Sequence, residues 1–362
     1  MITISRLEST ISTEHSTNGL YVYAIISTSD HLVLELPGVA GEDVYTVNHG
    51  ALAAFVSPAE RSTFLQLDRI TALEHLHAHQ QVIENVQRDF AVLPVKFGTV
   101  LAGESQVERL LEQHAGRFGT ALERLGARQQ VEVVVLWDPM LVFQQLAATP
   151  EIAMLKAHAA QPHEDTIAAR AGLGQVVKAA FDRRRLALSE QLLAPLRALT
   201  PRVISNSLMD DRMVLNVALL LDAAERDALD HCLDALDERF SGEDGGVPLH
   251  FRCVGPLPPY SFASVEIQLP DASQIDAARQ LLDLPLATTA AAIRQRYRAL
   301  AGRLHPDHNP HDPDAAIRMA ALAEAAQLLG MYTQHSSSEA IDLCWDAVAN
   351  TLLVDLVVAE CL

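Results

Sequence analysis

Positive charge is scarce in this sequence. Against 46 Asp and Glu stand 27 Lys and Arg, for a formal net charge of −19. A general nucleic-acid binder needs clustered cations to displace phosphate counterions, so this balance argues against that class and favours solubility. Cysteine is sparse as well. Cys232, Cys253, Cys344 and Cys361 form no Cys-x-x-Cys pair, which leaves no zinc ribbon or thioredoxin-type motif and fits reduced thiols in a cytosolic protein. Long apolar runs are missing too. Leu352–Cys361 is broken by Asp355 and is too short to span a bilayer, and the polar segment Met1–Asn18 has no signal core. No Gly-x-Ser-x-Gly elbow, Walker A loop, Gly-x-Gly-x-x-Gly or His-Glu-x-x-His occurs, so neither a catalytic residue nor a cofactor is expected.

What is present is a folded chain. With 362 residues, 49% of them hydrophobic and 20% charged, it is long enough for two or three domains with buried cores. Residues 1–18 read as a loose extension. Gly19–Ile26, His31–Glu35, Val44–Val47 and Ala51–Ser57 read as strands, from their β-branched and aromatic content and the turn residues between them. Thr71–Asp89 has helical spacing, with Leu73, Leu76, Val82, Ile83 and Val86 on one stripe. Glu104–Leu125 is a second helix and Val131–Trp137 a further strand. Two helices set among these strands predict an α+β unit over 19–138 with a ferredoxin-like arrangement. Residues 139–200 read as a helical connector. A second α+β unit over 201–272 has strands Arg202–Ser207, Met213–Leu221, Leu249–Val254 and Phe262–Gln268 and the helix Ala223–Phe240. A helical segment over 273–335 follows. After a Ser336–Ser338 linker, an amphipathic helix closes the 336–362 region, with Ile341, Cys344, Trp345, Val348 and Leu352 on one face.

His75 and His79 lie at i, i+4, a workable spacing for metal ligands, but no third ligand is placed near them, so a partly solvated helix face is expected and no metal. In Arg183–Arg185 the expectation is local ion pairing on a helix surface.

Two motifs fall in a telling order. The first is Val92-Leu-Pro-Val-Lys-Phe-Gly-Thr-Val100, with Lys96 and Phe97 at its centre and Tyr21-Val-Tyr-Ala-Ile25 well upstream. The second is Gly255-Pro-Leu-Pro-Pro-Tyr-Ser-Phe262. Together they resemble the gas vesicle protein GvpL/GvpF family over roughly 19–270. That resemblance implies a two-domain α+β fold and a cytoplasmic, gas vesicle-associated accessory role. It also implies contact with the small hydrophobic shell protein GvpA and with other accessory gas vesicle proteins.

Further on, Ile293, Tyr297, Leu300 and Leu304 recur at i, i+4, i+7 and i+11 and predict one buried helix face. Arg294, Arg298 and Arg303 project elsewhere, with Arg296 nearby. His305-Pro306-Asp307 follows, and Met319, Leu322, Ala325 and Leu329 supply the stripe of a returning helix. This arrangement resembles a J domain, the module that docks on DnaK-type chaperones and stimulates their ATPase. The resemblance assigns chaperone contact to His305, Pro306, Asp307, Arg294, Arg298 and Arg303. Two departures stand out: Asp283 sits where that family often has Gly, and Ala326 sits where it usually has an aromatic. The combined expectation is a gas vesicle accessory protein that recruits a chaperone to its client. The alternative is a scaffold component with a degenerate J-like module.

Overall fold

The computed structural model describes residues 4–6, 19–60, 67–159, 166–241, 246–309, 312–334, 340–349 and 351–362. The Ser336–Ser338 linker and most of the 1–18 extension lie outside these residues. The chain divides into two compact units. One comprises Met1–Val82, Val95–Phe118 and Val265–Val357; the other comprises Ile83–Pro94, Gly119–Ser264 and Val358–Leu362.

The first unit is built on an antiparallel sheet of β1 (Ile4–Arg6), β2 (Leu20–Ser27), β3 (Leu32–Leu34), β4 (Val44–His49) and β5 (Leu52–Pro58). Its order is β1-β3-β4-β5-β2. Consecutive antiparallel pairing makes β3, β4 and β5 a meander, and β2 lies beside β5. Leu20–Ile26 is buried at every position, as expected of a strand covered on both faces. The helix α1 (Arg69–Val86) follows, then, after β6 (Leu93–Pro94) of the other unit, β7 (Val100–Leu101), which pairs with β2, and the first part of α2 (Glu104–Leu125). Gly98 turns the chain at φ 85°, a left-handed conformation that glycine adopts without steric cost.

The second unit holds β8 (Gln129–Leu136), three helices α3 (Pro139–Ala147), α4 (Pro150–Ala159) and α5 (Thr166–Leu199), then β9 (Val203–Ser205), β10 (Met213–Leu221), α6 (Ala223–Arg239) and β11 (His250–Leu257). Its sheet runs β11-β8-β10-β9, antiparallel throughout. In chain order this is strand–helix–strand–strand–helix–strand with spatial order 4-1-3-2, the split βαβ arrangement. The ferredoxin-like topology expected of the first unit is therefore found in the second. The reason is β8: sequence order groups Val131–Trp137 with the strands before it, but its hydrogen bonds go to β10 and β11. Buried Val131, Val133 and Val135 face α5, and Trp137 packs on Phe181, which stacks on Phe143 at 4.7 Å. At the start of α6, Asp222 and Glu225 form a reciprocal capping box, and Glu225 also takes both oxygens to Arg202 at 2.6 and 2.7 Å.

In the first unit again, β12 (Ala263–Gln268) leads into α7 (Ala272–Leu281), β13 (Ala287–Thr288), α8 (Ala290–Leu304), a 3-10 turn over Pro306–His308, and α9 (Ala315–Gln334). The chain then forms β14 (Ile341–Asp342), the short helix α10 (Trp345–Ala349) and β15 (Leu353–Val358). The continuous amphipathic helix expected over 339–361 is thus confined to five residues. Leu353-Val-Asp-Leu-Val-Val358 pairs with β12 instead. A run this apolar and β-branched satisfies a ladder better than a helix turn.

Candidate functional site

The exposed loop His305–Asp307 sits at the joint between α8 and α9. Helix α8 starts on Thr289, whose hydroxyl accepts from the Ala292 amide at 3.1 Å, an N-cap that satisfies an otherwise orphan donor. It ends at His305, whose backbone leaves the helical region at φ −57°, ψ 133°. A following proline enforces that exit. The His305 carbonyl then accepts from the amides of His308 at 3.0 Å and Asn309 at 3.1 Å.

Two side chains of the loop are turned outward. His305 and Asp307 are 46% and 86% exposed, with Nδ1 to Oδ2 at 3.5 Å. The Asp307 amide donates to His305 Nδ1 at 3.2 Å, so the loop closes on itself. Asn309, which sequence reasoning passed over, is its anchor. Its amide nitrogen donates to the carbonyls of Arg303 at 2.8 Å and His305 at 3.1 Å, capping the carbonyl end of α8. On the far side Asp312 pairs with Arg318 and accepts from the Asp314 amide at 3.0 Å. A polar residue shortly after the tripeptide was visible in the sequence; which carbonyls it would reach was not.

The arginines divide into two groups. Arg294 and Arg298 are exposed and, four residues apart, lie roughly 40° from each other around the helix. Arg303, also exposed, is nine residues from Arg294 and so roughly 180° away. It does not share their face. None of the three forms an ion pair among the described residues, which leaves their charge available to a partner. Arg296 is used internally: it pairs with Asp283 and donates to the Leu282 carbonyl at 3.1 Å. Asp283 adopts φ 51°. The Leu284 amide bonds to the Arg279 carbonyl at 3.0 Å and the Asp283 amide to Gln280 at 3.0 Å. This is a Schellman ending to α7 with Asp at the left-handed position. The departure from Gly is thereby explained: Asp tolerates that conformation, and here its carboxylate also holds α8.

The hairpin core is the expected one. Ile293, Leu322, Ala325 and Leu329 are buried, with Tyr297, Leu300, Leu304, Met319 and Ala326 packed against them. Ile341, Leu343, Val348 and Leu353, from outside the hairpin, belong to the same cluster.

The other marked residues serve the fold. His75 and His79 are buried at 9% and 1% exposure, not on a solvated face. Gly98 donates its amide to the Tyr21 oxygen at 3.1 Å, and the Tyr21 hydroxyl is hydrogen-bonded to His79 Nδ1 at 2.9 Å. The His79 ring stacks on Tyr23 and meets Phe97 edge-on. Burial pushes its imidazole down to about 4, so it is neutral near pH 7. Among the described residues no group of three or more His, Cys, Asp or Glu could hold a metal ion. Lys96 pairs with Glu266. In the proline-rich segment, the Ser261 amide donates to Gln130 at 2.9 Å and the Leu257 carbonyl accepts from Gln87 at 3.1 Å. Arg185 pairs with Asp182 at 2.8 Å and Asp211 at 3.4 Å, as expected of that basic cluster. Among the described residues no helix is long and apolar enough to cross a membrane.

Comparison with known proteins bears on both parts of the chain. The family model described as gas vesicle synthesis protein GvpL/GvpF matches residues 19–264, and the DnaJ domain model matches residues 280–336. Gas vesicle protein F1 of Halobacterium salinarum is 26% identical over 255 residues, covering 69% of this chain and 95% of that protein. Gas vesicle protein L1 of the same organism is 27% identical over 281 residues, covering 71% and 95%. The crystal structure of the gas vesicle protein GvpF from Anabaena sp. PCC7120 matches with a TM-score of 0.59 at 20% identity, covering 68% of this chain and 98% of that one. This last likeness is one of fold. These relatives are matched nearly end to end, whereas about 30% of this chain has no counterpart in them.

Proposed function

Because the chain belongs to the GvpL/GvpF family of gas vesicle synthesis proteins and carries a DnaJ domain, we propose that it is an accessory protein of gas vesicle assembly that brings a DnaK-type chaperone to the shell protein GvpA. The observation that supports this most is the docking end of the hairpin. His305 and Asp307 are presented to solvent on a loop braced by Asn309, and the uncommitted arginines Arg294 and Arg298 lie along the helix that leads to it. The residues that resemble the chaperone-contacting set are therefore free for that use, while the neighbouring Arg296 is consumed by the fold.

The physical logic is proximity. A chaperone held on the same chain as a hydrophobic client works at a raised effective concentration and needs no tight affinity of its own. A gas vesicle association in the cytoplasm and contact with other accessory gas vesicle proteins belong to the same reading. The test is a pull-down from the native host with the tagged full chain and its His305→Gln variant. The expected result is that the unsubstituted chain recovers both shell protein and chaperone, and that the variant keeps the shell protein and loses the chaperone. Equal recovery of chaperone by both would overturn the recruitment reading.

A further inference from the structure

We infer that the segment Ile341–Val358 is a clamp that fixes the DnaJ domain against the first unit's sheet, so that the docking loop is held in one place and not carried on a mobile tether. Three observations carry this. At the base of the hairpin β14 pairs with β13, Ala287 opposite Asp342 and Thr288 opposite Ile341, and the Leu343 amide donates to the Leu286 carbonyl at 2.7 Å. The chain entering α8 is thus zipped to the chain that follows α9. Next, β15 pairs with β12, the strand that runs into the DnaJ domain through the short stretch Pro270–Asp271. Lastly, β12 is itself joined to the first unit: Val265 bridges Val95 in parallel, the Lys96 amide donates to the Val265 carbonyl at 2.9 Å, and Lys96 pairs with Glu266.

The same segment closes the core of the domain. Ile341, Leu343, Val348 and Leu353 are buried in the cluster that holds Leu329 and Tyr332. The Tyr332 hydroxyl meets Thr351 Oγ1 at 3.1 Å. Among the described residues, the strands that lead into the hairpin and those that follow it have partners, unlike a connection with few contacts. Hydrogen bonds of this kind between segments distant in sequence fix orientation as well as proximity, which removes the entropic cost of searching for a productive pose.

The consequence for chaperone delivery rests on the recruitment reading; the clamp itself does not. The test uses the full chain with its four native cysteines replaced by Ser and spin labels at Ala51→Cys, on the exposed tip between β4 and β5, and at Ile317→Cys, an exposed position on α9. The expected distance distribution is single and narrow, and it broadens when Val354→Asp is added to disrupt β15. A broad distribution in the chain without Val354→Asp, or a narrow one that survives that substitution, overturns the clamp. Stimulation of a purified DnaK-type chaperone's ATPase is read on the same samples. It is expected to stay within about twofold in the Val354→Asp chain, because the loop and the clamp are distant and share no partner. A narrow distribution without any stimulation would leave the clamp standing and remove the recruitment reading.

Discussion

The two ends of the DnaJ hairpin are built on opposite plans. At the loop end, among the described residues, the hydrogen bonds of His305, Asp307 and Asn309 go to residues within six positions, and His305 and Asp307 face solvent. At the base, about 22 Å away by the rise of the 15-residue helix α8, local caps are joined by ties to residues far along the chain: Thr288 to Ile341, Leu286 to Leu343, β12 to β15. Local bonds shape a site without restricting where it is. Long-range bonds restrict where it is without touching its chemistry. The contrast separates recognition from placement, and substitutions at the two ends should fail in different ways.

The largest effect is expected at the base. Val354 is 2% exposed, and Val354→Asp places an unpaired carboxylate in an apolar layer, costing at least about 3 kcal/mol. Chemical denaturation should show the DnaJ part melting ahead of the rest; a single unshifted transition would contradict the placement of β15. The next effect lies outside the hairpin and calibrates the first unit. His79 is neutral when folded, with its imidazole depressed to about 4, and regains an ordinary value of about 6.5 when unfolded. Its contribution is fully present above about pH 6.5. As pH falls from there towards 4 the unfolded chain takes up the proton first, and stability drops by about 1.4 kcal/mol per pH unit. His79→Gln should flatten that slope in melting experiments at pH 4.5 and 7; an unchanged slope would show that His79 is not its source.

Smaller effects should come from single hydrogen bonds. Asn309→Ala removes two bonds to the end of α8 and is expected to cost about 1–2 kcal/mol. Hydrogen exchange should rise around 303–309 and leave 341–358 unaltered. Tyr332→Phe removes the hydroxyl contact to Thr351 and is expected to cost about 1 kcal/mol, with faster exchange at 341–358 and an unaltered loop. If either substitution loosened both ends alike, the separation drawn above would be lost.

How far the sequence foretold this depended on the reach of the interactions. Glu104–Leu125 and Met213–Leu221 were read with the boundaries they have, because period and flanking turn residues are local. The buried stripe of the hairpin was equally legible, and so was the oddity of Asp283, whose positive φ is the reason glycine is common there. The inward-facing histidines were not. Leu73 and Leu76 were expected on the apolar stripe but are 57% and 42% exposed, because the Tyr21 hydroxyl, 58 residues away, gives His79 a buried partner. The terminal segment misled for a related reason. Ile341, Trp345, Val348 and Leu352 match a helical stripe, yet a short apolar run matches a strand equally well, and the strand that decides between them, β12, lies far upstream. Arg296 stood outside the assigned set of Arg294, Arg298 and Arg303, but its structural role depends on Asp283, on another element.

The central claim is that the exposed end of this hairpin engages a DnaK-type chaperone. The most direct measurement is the steady-state ATPase rate of a purified DnaK-type chaperone with the full chain and with its His305→Gln variant. The account predicts stimulation by the unsubstituted chain and a return to the unstimulated rate with the variant, both proteins melting at the same temperature. Equal rates with the two proteins would contradict it.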